Sequence, residues 1–481
     1  PMAAFLRPVL RHPTKRTSGL LPAPLAPRTF ESEPDNRPNR IKGGPASMDL
    51  NKQPPRRPTN MGMAGIAGLA RMTDKARGHN DELIGEYVYG DASGLDKGVL
   101  EFLGMSADEY AEAADSMDDG ELSELALKKS GKDASEIAAF SKEQVEREPQ
   151  DDRHRQLLVE RVATYAPERT DVKTVYQSME LDDWGMFREL DLTAGPPRTP
   201  YLRSVAGIVG AARMADKARG AKAGKLGEFK YGDDSGLDRA ILEFLGIGAD
   251  EFLEGAYANP NDLELGEWIG QRSSPDSSRI SALNARLTVY GLRTPGYEER
   301  FAKRREEICP DRPEVQTFFD LIDIDDQQSF GIVDLTRRPP RSAYDTGLGG
   351  ITGLGRSIDK GRAHLSGHLG DYWFGEDSGF DRRIFEFLGL SQDEFTACLQ
   401  ECADDQSVLA WLGKGRLGKS QEEIDAFNDG LQLLGPANEQ QRDFLRAVVA
   451  KLDPNRTDLD TFCGLTALDD KISFARLKAG V

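Results

Sequence analysis

The sequence is poor in cysteine, and this excludes a fold held by disulfides. Its 481 residues include four cysteines, Cys309, Cys398, Cys402 and Cys463, all of them in the later part of the chain. We therefore expect buried thiols in a reducing compartment. Cys398 and Cys402 lie four residues apart on one side of a predicted helix, but a zinc site would need two further ligands.

Long apolar runs and an excess of positive charge are also missing. No stretch approaches the roughly 18 to 20 uninterrupted apolar residues that a membrane-spanning helix needs. The formal net charge is −19, and because residues 1–48 carry +5, the rest of the chain carries −24. A field of that sign repels nucleic-acid phosphates and anionic lipid heads. We expect neither nucleic acid nor a membrane as a partner.

The first 48 residues differ in composition from the rest. They hold nine prolines and, before Glu31, five basic residues and no acidic one. Such a segment should not pack a core. Three interpretations remain open. The segment is an organelle transit peptide, whose composition it has; or translation begins at Met48 and residues 1–47 are an artefact; or the segment is a disordered tail. We predict a cytoplasmic protein, with an organelle matrix as the alternative if residues 1–47 are a transit peptide.

The remaining chain repeats one unit three times. The sequence DKARG at Asp74 returns at Asp216 and, as DKGRA, at Asp359, which gives intervals of 142 and 143 residues. This period exceeds the 20 to 50 residues of solenoid repeats, so each unit should be a self-sufficient domain. No flexible linker separates the copies, and we expect them to touch. The predicted domains are 49–190 (copy 1), 191–333 (copy 2) and 334–481 (copy 3).

Ordered motifs within the copies resemble a known family. From Asp74 to Gly104 the copies align without a gap, and twelve of the 31 positions are identical in all three. Copy 3 reads DLTRRPPR from Asp334, then GGITGLGRSIDKGRA, GDYWFG, FDRRIFEFLG, SQDEF and LAWL. This order resembles a bacterial family of small domains known only as domain of unknown function 5069. The resemblance covers nearly all of 49–481 and implies no activity.

The best-preserved stretch, GDDSGLDRAILEFLG, has the pattern of a capped helix. Ser235 followed three residues later by Asp238 is a capping box, with the acid reaching back to the start of the helix. Gly246 should end that helix in the left-handed conformation. The apolar positions of the predicted helix are Leu237, Ile241 and Phe244. Copies 1 and 3 repeat the arrangement, and these helix signals favour a structural role over a catalytic one.

Helical patterns dominate each copy. We count six or seven helices per copy, and only the segments GEYVYG, GEFKYG and GDYWFG favour an extended conformation. The predicted fold is therefore mainly α: three tandem, compact, mostly helical domains of about 142 residues, each with at most a short extended segment.

The DK-x-R sequence carries the candidate site. At about 100° per residue from Ile351, Arg362 falls on the apolar stripe of its helix, Asp359 at the edge, and Lys360 faces away. An arginine on a core-facing stripe must be paired or must bind a ligand. The structural interpretation pairs it with a carboxylate, for which the recurrent positions Asp96, Asp238 and Asp381 are candidates.

The functional interpretation forms a small-anion pocket from the same residues and a nearby tyrosine. The candidate ligand-binding residues are Asp74, Lys75, Arg77, Tyr89, Asp216, Lys217, Arg219, Tyr231, Asp359, Lys360 and Arg362. Phe374 replaces the tyrosine in copy 3, which weakens a role for the hydroxyl. This alternative and the structural one both remain open from the sequence.

Familiar catalytic sets are missing from the repeats. His79 and His364 correspond, but copy 2 has Ala221 there. Without a recurrent histidine or cysteine, no nucleophile–base pair can be assigned, so the catalytic residues are unknown. The sequences GIAG, GIVG and GITG match no phosphate-binding fingerprint and favour close helix packing. We predict no cofactor and no metal.

Two hypotheses on function follow from different classes. The first is a non-enzymatic binding or scaffold protein that presents three equivalent surfaces to an unknown protein partner. The alternative is an enzyme or a small-anion-binding protein with an Asp/Lys/Arg site in each copy.

Overall fold

The computed structural model describes residues 48–289, 296–309, 312, 315–402, 404–413 and 417–479. These ranges contain 21 α-helices and three single 3₁₀ turns, and no β-strand occurs within them. Copy 1 contains α1 to α7: Leu69–Asn80, Gly94–Leu103, Ala107–Ser116, Asp119–Ser130, Ala134–Glu146, Asp152–Tyr165 and Val175–Phe187. Copy 2 contains α8 to α14: Ala211–Lys222, Gly236–Leu245, Ala249–Ala258, Asp262–Gly270, Ser277–Thr288, Tyr297–Ile308 and Phe318–Phe330. Copy 3 contains α15 to α21: Leu354–Leu365, Gly379–Leu388, Gln392–Glu401, Asp405–Gly413, Gln421–Gln432, Glu439–Leu452 and Phe462–Ala479.

The prediction of three tandem helical domains is confirmed. The three segments predicted to be extended contain no strand and run as irregular chain into the 3₁₀ turns. The prediction of a disordered or targeting segment at 1–48 falls on residues of which all but Met48 lie outside the described ranges.

Each copy folds around its own hydrophobic core. The buried residues of the main cluster in copy 2 all come from between Tyr201 and Phe319. Those of copy 1 come from between Met63 and Tyr176, and those of copy 3 from positions 343 to 463. The last two helices of each copy pack a smaller cluster of their own. Each copy therefore satisfies its apolar side chains internally, as a self-sufficient domain requires.

The first helix of each copy lies at the centre of its domain. All residues from Leu69 to Gly78 of α1 are buried, and so are all those from Ala211 to Gly220 of α8. Helix α1 packs against α2 and α3, and the same packing recurs between α8 and the helices α9 and α10. The DK-x-R sequence is therefore carried by a helix that has no solvent-facing side over most of its length.

A glycine begins each of these central helices for two physical reasons. Gly68 has a φ of 86°, a left-handed conformation that side chains other than glycine rarely adopt. A β-carbon there would also lie 3.0 Å from the Tyr176 hydroxyl and 3.1 Å from Val99. Gly210 and Gly353 have the same two constraints. The glycines thus allow close packing, as the sequence predicts.

Neighbouring copies contact each other. Between copies 1 and 2, the Trp184 indole N–H donates to the Tyr257 carbonyl at 3.0 Å. Between copies 2 and 3, the Arg337 guanidinium lies 2.6 Å from an Asp323 carboxylate oxygen, and Arg338 donates to the Gln327 side chain at 2.9 Å. The expectation that adjacent copies touch is met at both junctions. Of the described helices, none is both long and apolar enough to cross a bilayer.

Candidate functional site

The lysine of the DK-x-R sequence lies inside the domain. The Lys75 ammonium is 2.7 Å from Asp96 Oδ1 and donates to Ser93 Oγ at 3.0 Å and to the Val88 carbonyl at 3.1 Å. Burial lowers the pKa of Lys75 to about 8. The ammonium thus has three internal acceptors, and all of its donors are used within the fold.

The same lysine site recurs in the other copies. Lys217 lies 2.6 Å from Asp238, and Lys360 lies 2.8 Å from Asp381. The expectation that Lys360 faces away from the core is wrong. A helical-wheel argument assumes one solvent-facing side, and α15, like α1 and α8, has almost none.

The repeated Gly-x-x-Ser-Gly-x-Asp sequence forms the other half of this site. The Ser235 hydroxyl caps α9 by accepting from the Asp238 N–H at 3.4 Å, as the capping-box pattern predicts. The Asp238 carboxylate does not accept from the Ser235 backbone N–H, however, because that N–H donates to the Gly232 carbonyl. The carboxylate accepts from the Gly232 N–H at 3.1 Å and pairs with Lys217. The acid therefore joins the turn, α9 and the central helix α8, and it is fully buried.

The aspartate and arginine of the DK-x-R sequence belong to a second cluster. Arg56, from the Pro-Pro-Arg sequence, contacts Asp74 at 2.7 Å and Asp119 at 2.6 Å, and Arg77 contacts Asp119 at 2.7 Å. Two cations and two carboxylates thus alternate. Burial alone would raise the pKa of Asp119, but Arg56 and Arg77 outweigh it and hold that pKa below its ordinary value. The cluster fixes the start of α4 against α1.

Copy 3 repeats this cluster, and copy 2 alters it. In copy 3, Arg341 contacts Asp359 and Asp405, and Arg362 contacts Asp405 at 2.6 Å. In copy 2, the Arg219 guanidinium lies 3.8 Å from Asp216. It donates instead to three carbonyls at the end of α10, those of Ala256, Asn259 and Pro260, at 3.1 to 3.2 Å. The arginine has partners inside its own domain in every copy, but the suggested carboxylates, Asp96, Asp238 and Asp381, belong to the lysine site.

The tyrosine of the candidate set ties the segment before the 3₁₀ turn to the start of the third helix of its copy. The Tyr89 hydroxyl donates to the Ala107 carbonyl at 2.8 Å, and the Tyr231 hydroxyl donates to the Ala249 carbonyl at 2.7 Å. In copy 3, Phe374 is buried at this position and makes no such bond. The lysine, arginine and tyrosine therefore point to three separate sets of partners, and they do not converge on one pocket.

A third recurrent ion pair was missed by the sequence reasoning. Arg71 lies 2.6 Å from Asp183 of the last helix in copy 1, and the Tyr87 hydroxyl donates to the same carboxylate at 2.8 Å. Arg213 with Asp326, and Arg356 with Asp470, repeat the pair at 2.6 Å. The signal was available, because the arginine three residues before DK-x-R recurs in every copy, as does the second aspartate of the closing Asp-Asp.

The same position on the fifth helix of each copy bonds the loop before the central helix. Asn284 accepts from the Val209 N–H at 3.0 Å and donates to the Gly207 carbonyl at 2.8 Å. Asn428 makes the same two bonds in copy 3, and the Ser141 hydroxyl makes them in copy 1. Because serine replaces asparagine in copy 1, the sequence alone did not reveal the equivalence.

The histidines and acids form no metal site. Within the described residues, no group of three or more histidine, cysteine, aspartate or glutamate side chains could hold a metal ion. His79 stacks on Tyr89 with ring centroids 5.4 Å apart, and His364 packs against Phe374 at 5.3 Å. Both histidines therefore serve as aromatic neighbours of the same recurrent ring position.

No disulfide joins the four cysteines, and all four are buried. Cys398 Sγ lies 4.0 Å from Cys402 Sγ, and burial, with the neighbouring Cys402, raises the pKa of Cys398 to about 12. Burial likewise raises the pKa of Cys463 to about 11. Since the thiolate is the reactive form, these thiols should be inert in the folded chain.

We expect the native chain to react very slowly with an aromatic disulfide reagent at pH 8. A rise of a thiol pKa to about 12 lowers its thiolate fraction roughly a thousandfold, before burial is counted. In denaturant all four thiols should react within minutes. Rapid reaction of even one thiol in the native chain, followed by absorbance, would contradict the buried placement.

One protein family matches the chain along most of its length. The family model described as "Domain of unknown function (DUF5069)" matches residues 52–184, 194–328 and 337–472. The resemblance inferred from the ordered motifs is thereby confirmed. No curated protein matches the chain.

Proposed function

Because the chain belongs to the DUF5069 family in three tandem copies, we propose its function from its surfaces and its buried charges. The proposed function is that of a non-enzymatic scaffold, which holds three related domains at fixed spacing for a protein partner. Its four free thiols fit the reducing environment of the cytoplasm, where we infer that it acts.

The burial and pairing of the recurrent charges carry this proposal. Asp74, Lys75 and Arg77 are all buried, and each contacts its partners within its own copy. A buried charge must be paired, because an unpaired one strongly destabilises the fold. The requirement for folding therefore explains why these residues recur in every copy, without a catalytic role. Active-site groups, in contrast, must present unused donors or acceptors to a substrate.

We place the partner surface on the fifth helix of each copy. In copy 1 an open groove of about 620 Å³ lies between the loop 61–65 and α5, and Met61, Leu127, Ile137 and Val145 line it. Its lining is mainly apolar, and exposed apolar surface is one mark of a protein interaction site.

The same helix and loop are paired in the other copies. Gly65 faces Ile137, and the corresponding pairs are Gly207 with Ile280 and Gly350 with Ile424. The Ser141, Asn284 and Asn428 bonds hold these loops in place. Three related surfaces on one chain would give a partner with repeated epitopes the benefit of avidity.

The test compares the linked array with the same copies unlinked. The bait 49–481 is set against an equimolar mixture of the separate copies 49–190, 191–333 and 334–481, so that both baits present every domain. Partners retained by the array should wash off the mixture, because avidity commonly contributes a factor of about 10² to 10⁴. Quantitative mass spectrometry of the retained proteins gives the ratio.

Two outcomes would contradict the scaffold. Equal retention by the array and the mixture would remove avidity as the reason for three copies. Turnover of a metabolite by a single copy would favour the enzyme alternative.

A further inference from the structure

An extended segment of copy 1 lies on copy 2 where α10 ends and α11 begins. The Gln53 side chain accepts from the Asp262 N–H at 2.8 Å, and the Asn261 side chain donates to the Pro54 carbonyl at 2.8 Å. These bonds provide an acceptor for the first backbone N–H of α11, which has none within the helix, and a partner for the side-chain amide of the capping residue Asn261. Copy 2 therefore binds a proline-containing peptide segment that happens to belong to the same chain.

An arginine forms the other end of this contact. The Arg57 guanidinium donates to the Ala258 carbonyl at 2.7 Å and to Asn259 Oδ1 at 3.2 Å. Its backbone N–H donates to Glu264 at 2.9 Å. Ala258 is the last residue of α10, so the cation lies at the negative end of the helix dipole.

The corresponding surface of copy 1, where α3 ends and α4 begins, is open. The Asp119 side chain is 37% exposed, whereas its counterpart Asp262 is 1% exposed beneath the copy 1 segment. Asp118 occupies the position of Asn261, and Glu121 that of Glu264; both are exposed. We call this surface, formed by residues 115–121, the α3–α4 surface.

The chemistry of the α3–α4 surface is more negative than that of its covered counterpart. Asp118 replaces an asparagine, so its side chain only accepts hydrogen bonds and cannot make the bond that Asn261 donates to the Pro54 carbonyl. Asp115, Asp118, Asp119 and Glu121 lie within seven residues, and the carbonyls of residues 115 and 116 end α3 as those of 257 and 258 end α10. Such a surface favours a ligand that donates hydrogen bonds and carries positive charge.

We propose that the α3–α4 surface of copy 1 binds an extended, arginine-containing segment of a partner protein. The ligand's arginine lies at the carboxyl end of α3, as Arg57 lies at that of α10, and its backbone N–H groups face the acids at the start of α4. Glu121, which now accepts from the Asp118 N–H at 3.0 Å, turns outward to the ligand as Glu264 does. This inference names a partner class for the proposed scaffold and rests on that function.

The probe for this site is a synthetic peptide, Gln-Pro-Pro-Arg-Arg-Pro-Thr-Asn, which copies residues 53–60 and carries a photo-crosslinking group. It is added to the full chain, in which the copy 2 surface is already covered. Crosslinks mapped by mass spectrometry should fall on residues 107–130, and a peptide with both arginines replaced by glutamine should lose them.

Matched variants test the residues. Glu121→Gln keeps the capping box of α4 but removes the charge at the position that corresponds to Glu264. The crosslink yield at residues 107–130 should fall by about tenfold or more, the loss expected for charge-assisted bonds. Glu136→Gln makes the same change in the exposed capping box of α5 and should leave the yield unchanged.

Two results would overturn the proposal: an unchanged yield in the first variant, or crosslinks that follow the α5 variant instead. Either result leaves the array-against-mixture comparison intact, because that comparison depends on linkage and on no particular peptide.

Discussion

Lys217→Met should lower the free energy of unfolding of copy 2 by about 3 kcal/mol, because it leaves a buried carboxylate without its cation. Lys217 lies 2.6 Å from Asp238 and donates to Ser235 and to the Lys230 carbonyl. Methionine fills a similar volume, so the loss reports the broken ion pair and not a cavity.

The measurement is hydrogen exchange in the whole chain, read at the amides of α8. Exchange gives the opening free energy of each domain separately, so α1 and α15 serve as internal references that should not change. Lys222→Met is the matched control on the same helix, since its pair with Glu254 is exposed on the surface. We expect that control to cost far less, because water screens an exposed pair. Equal effects of the two substitutions would contradict the buried pair.

Arg219→Ala should be similarly damaging, by about 3 kcal/mol or more. The substitution leaves the carbonyls of Ala256, Asn259 and Pro260 without their donor, and it opens a cavity where the guanidinium lay 2% exposed. Since the arginine holds the end of α10, exchange should also rise in that helix.

The control for this second prediction is Arg239→Ala, at an exposed position of α9. We expect it to change the opening free energy of copy 2 by no more than about 0.5 kcal/mol. If Arg219→Ala also leaves it unchanged, the guanidinium is not needed for folding, and a role in binding a ligand gains support.

Local patterns allowed much of the fold to be predicted. Ser235 caps α9 and Gly246 ends it with a φ of 67°, because both features depend on residues within one helical turn of each end. The three-domain organisation followed from recurrence alone. Apolar periodicity placed Ile241 correctly in the core, while Phe244 is half-buried and Asp238 takes a place on the buried face.

The orientation of the lysine could not be predicted in the same way. A helical wheel assumes that one side of a helix meets solvent, and this holds for α9 but not for α8, which is covered on every side. Whether Lys217 is buried depends on segments that come later in the chain, above all the turn at Gly232 and the acid Asp238. Their distance in sequence hides the contact from any local pattern.

The partner of the arginine was missed for a related reason. Asp119 and Asp405 approach Arg77 and Arg362 from 42 and 43 residues away. In copy 2 the arginine bonds instead to the carbonyls of Ala256, Asn259 and Pro260. This aspartate recurs in all copies, which marked it as a candidate partner. Recurrence does not show, however, which of several acids forms an ion pair with which base.

The central claim is that the DK-x-R sequence recurs because it folds each domain. The most direct test is the coupling free energy between Lys217 and Asp238, from Lys217→Met, Asp238→Asn and the double variant, measured by exchange at α8. Asparagine keeps an acceptor for the Gly232 N–H, so the double variant removes both charges and leaves neither partner uncompensated. The account predicts a coupling of at least about 2 kcal/mol. The double variant should lose less free energy of unfolding than the sum of the losses of the two single variants. A coupling near zero would contradict it, because the two charges would then not stabilise the domain through each other.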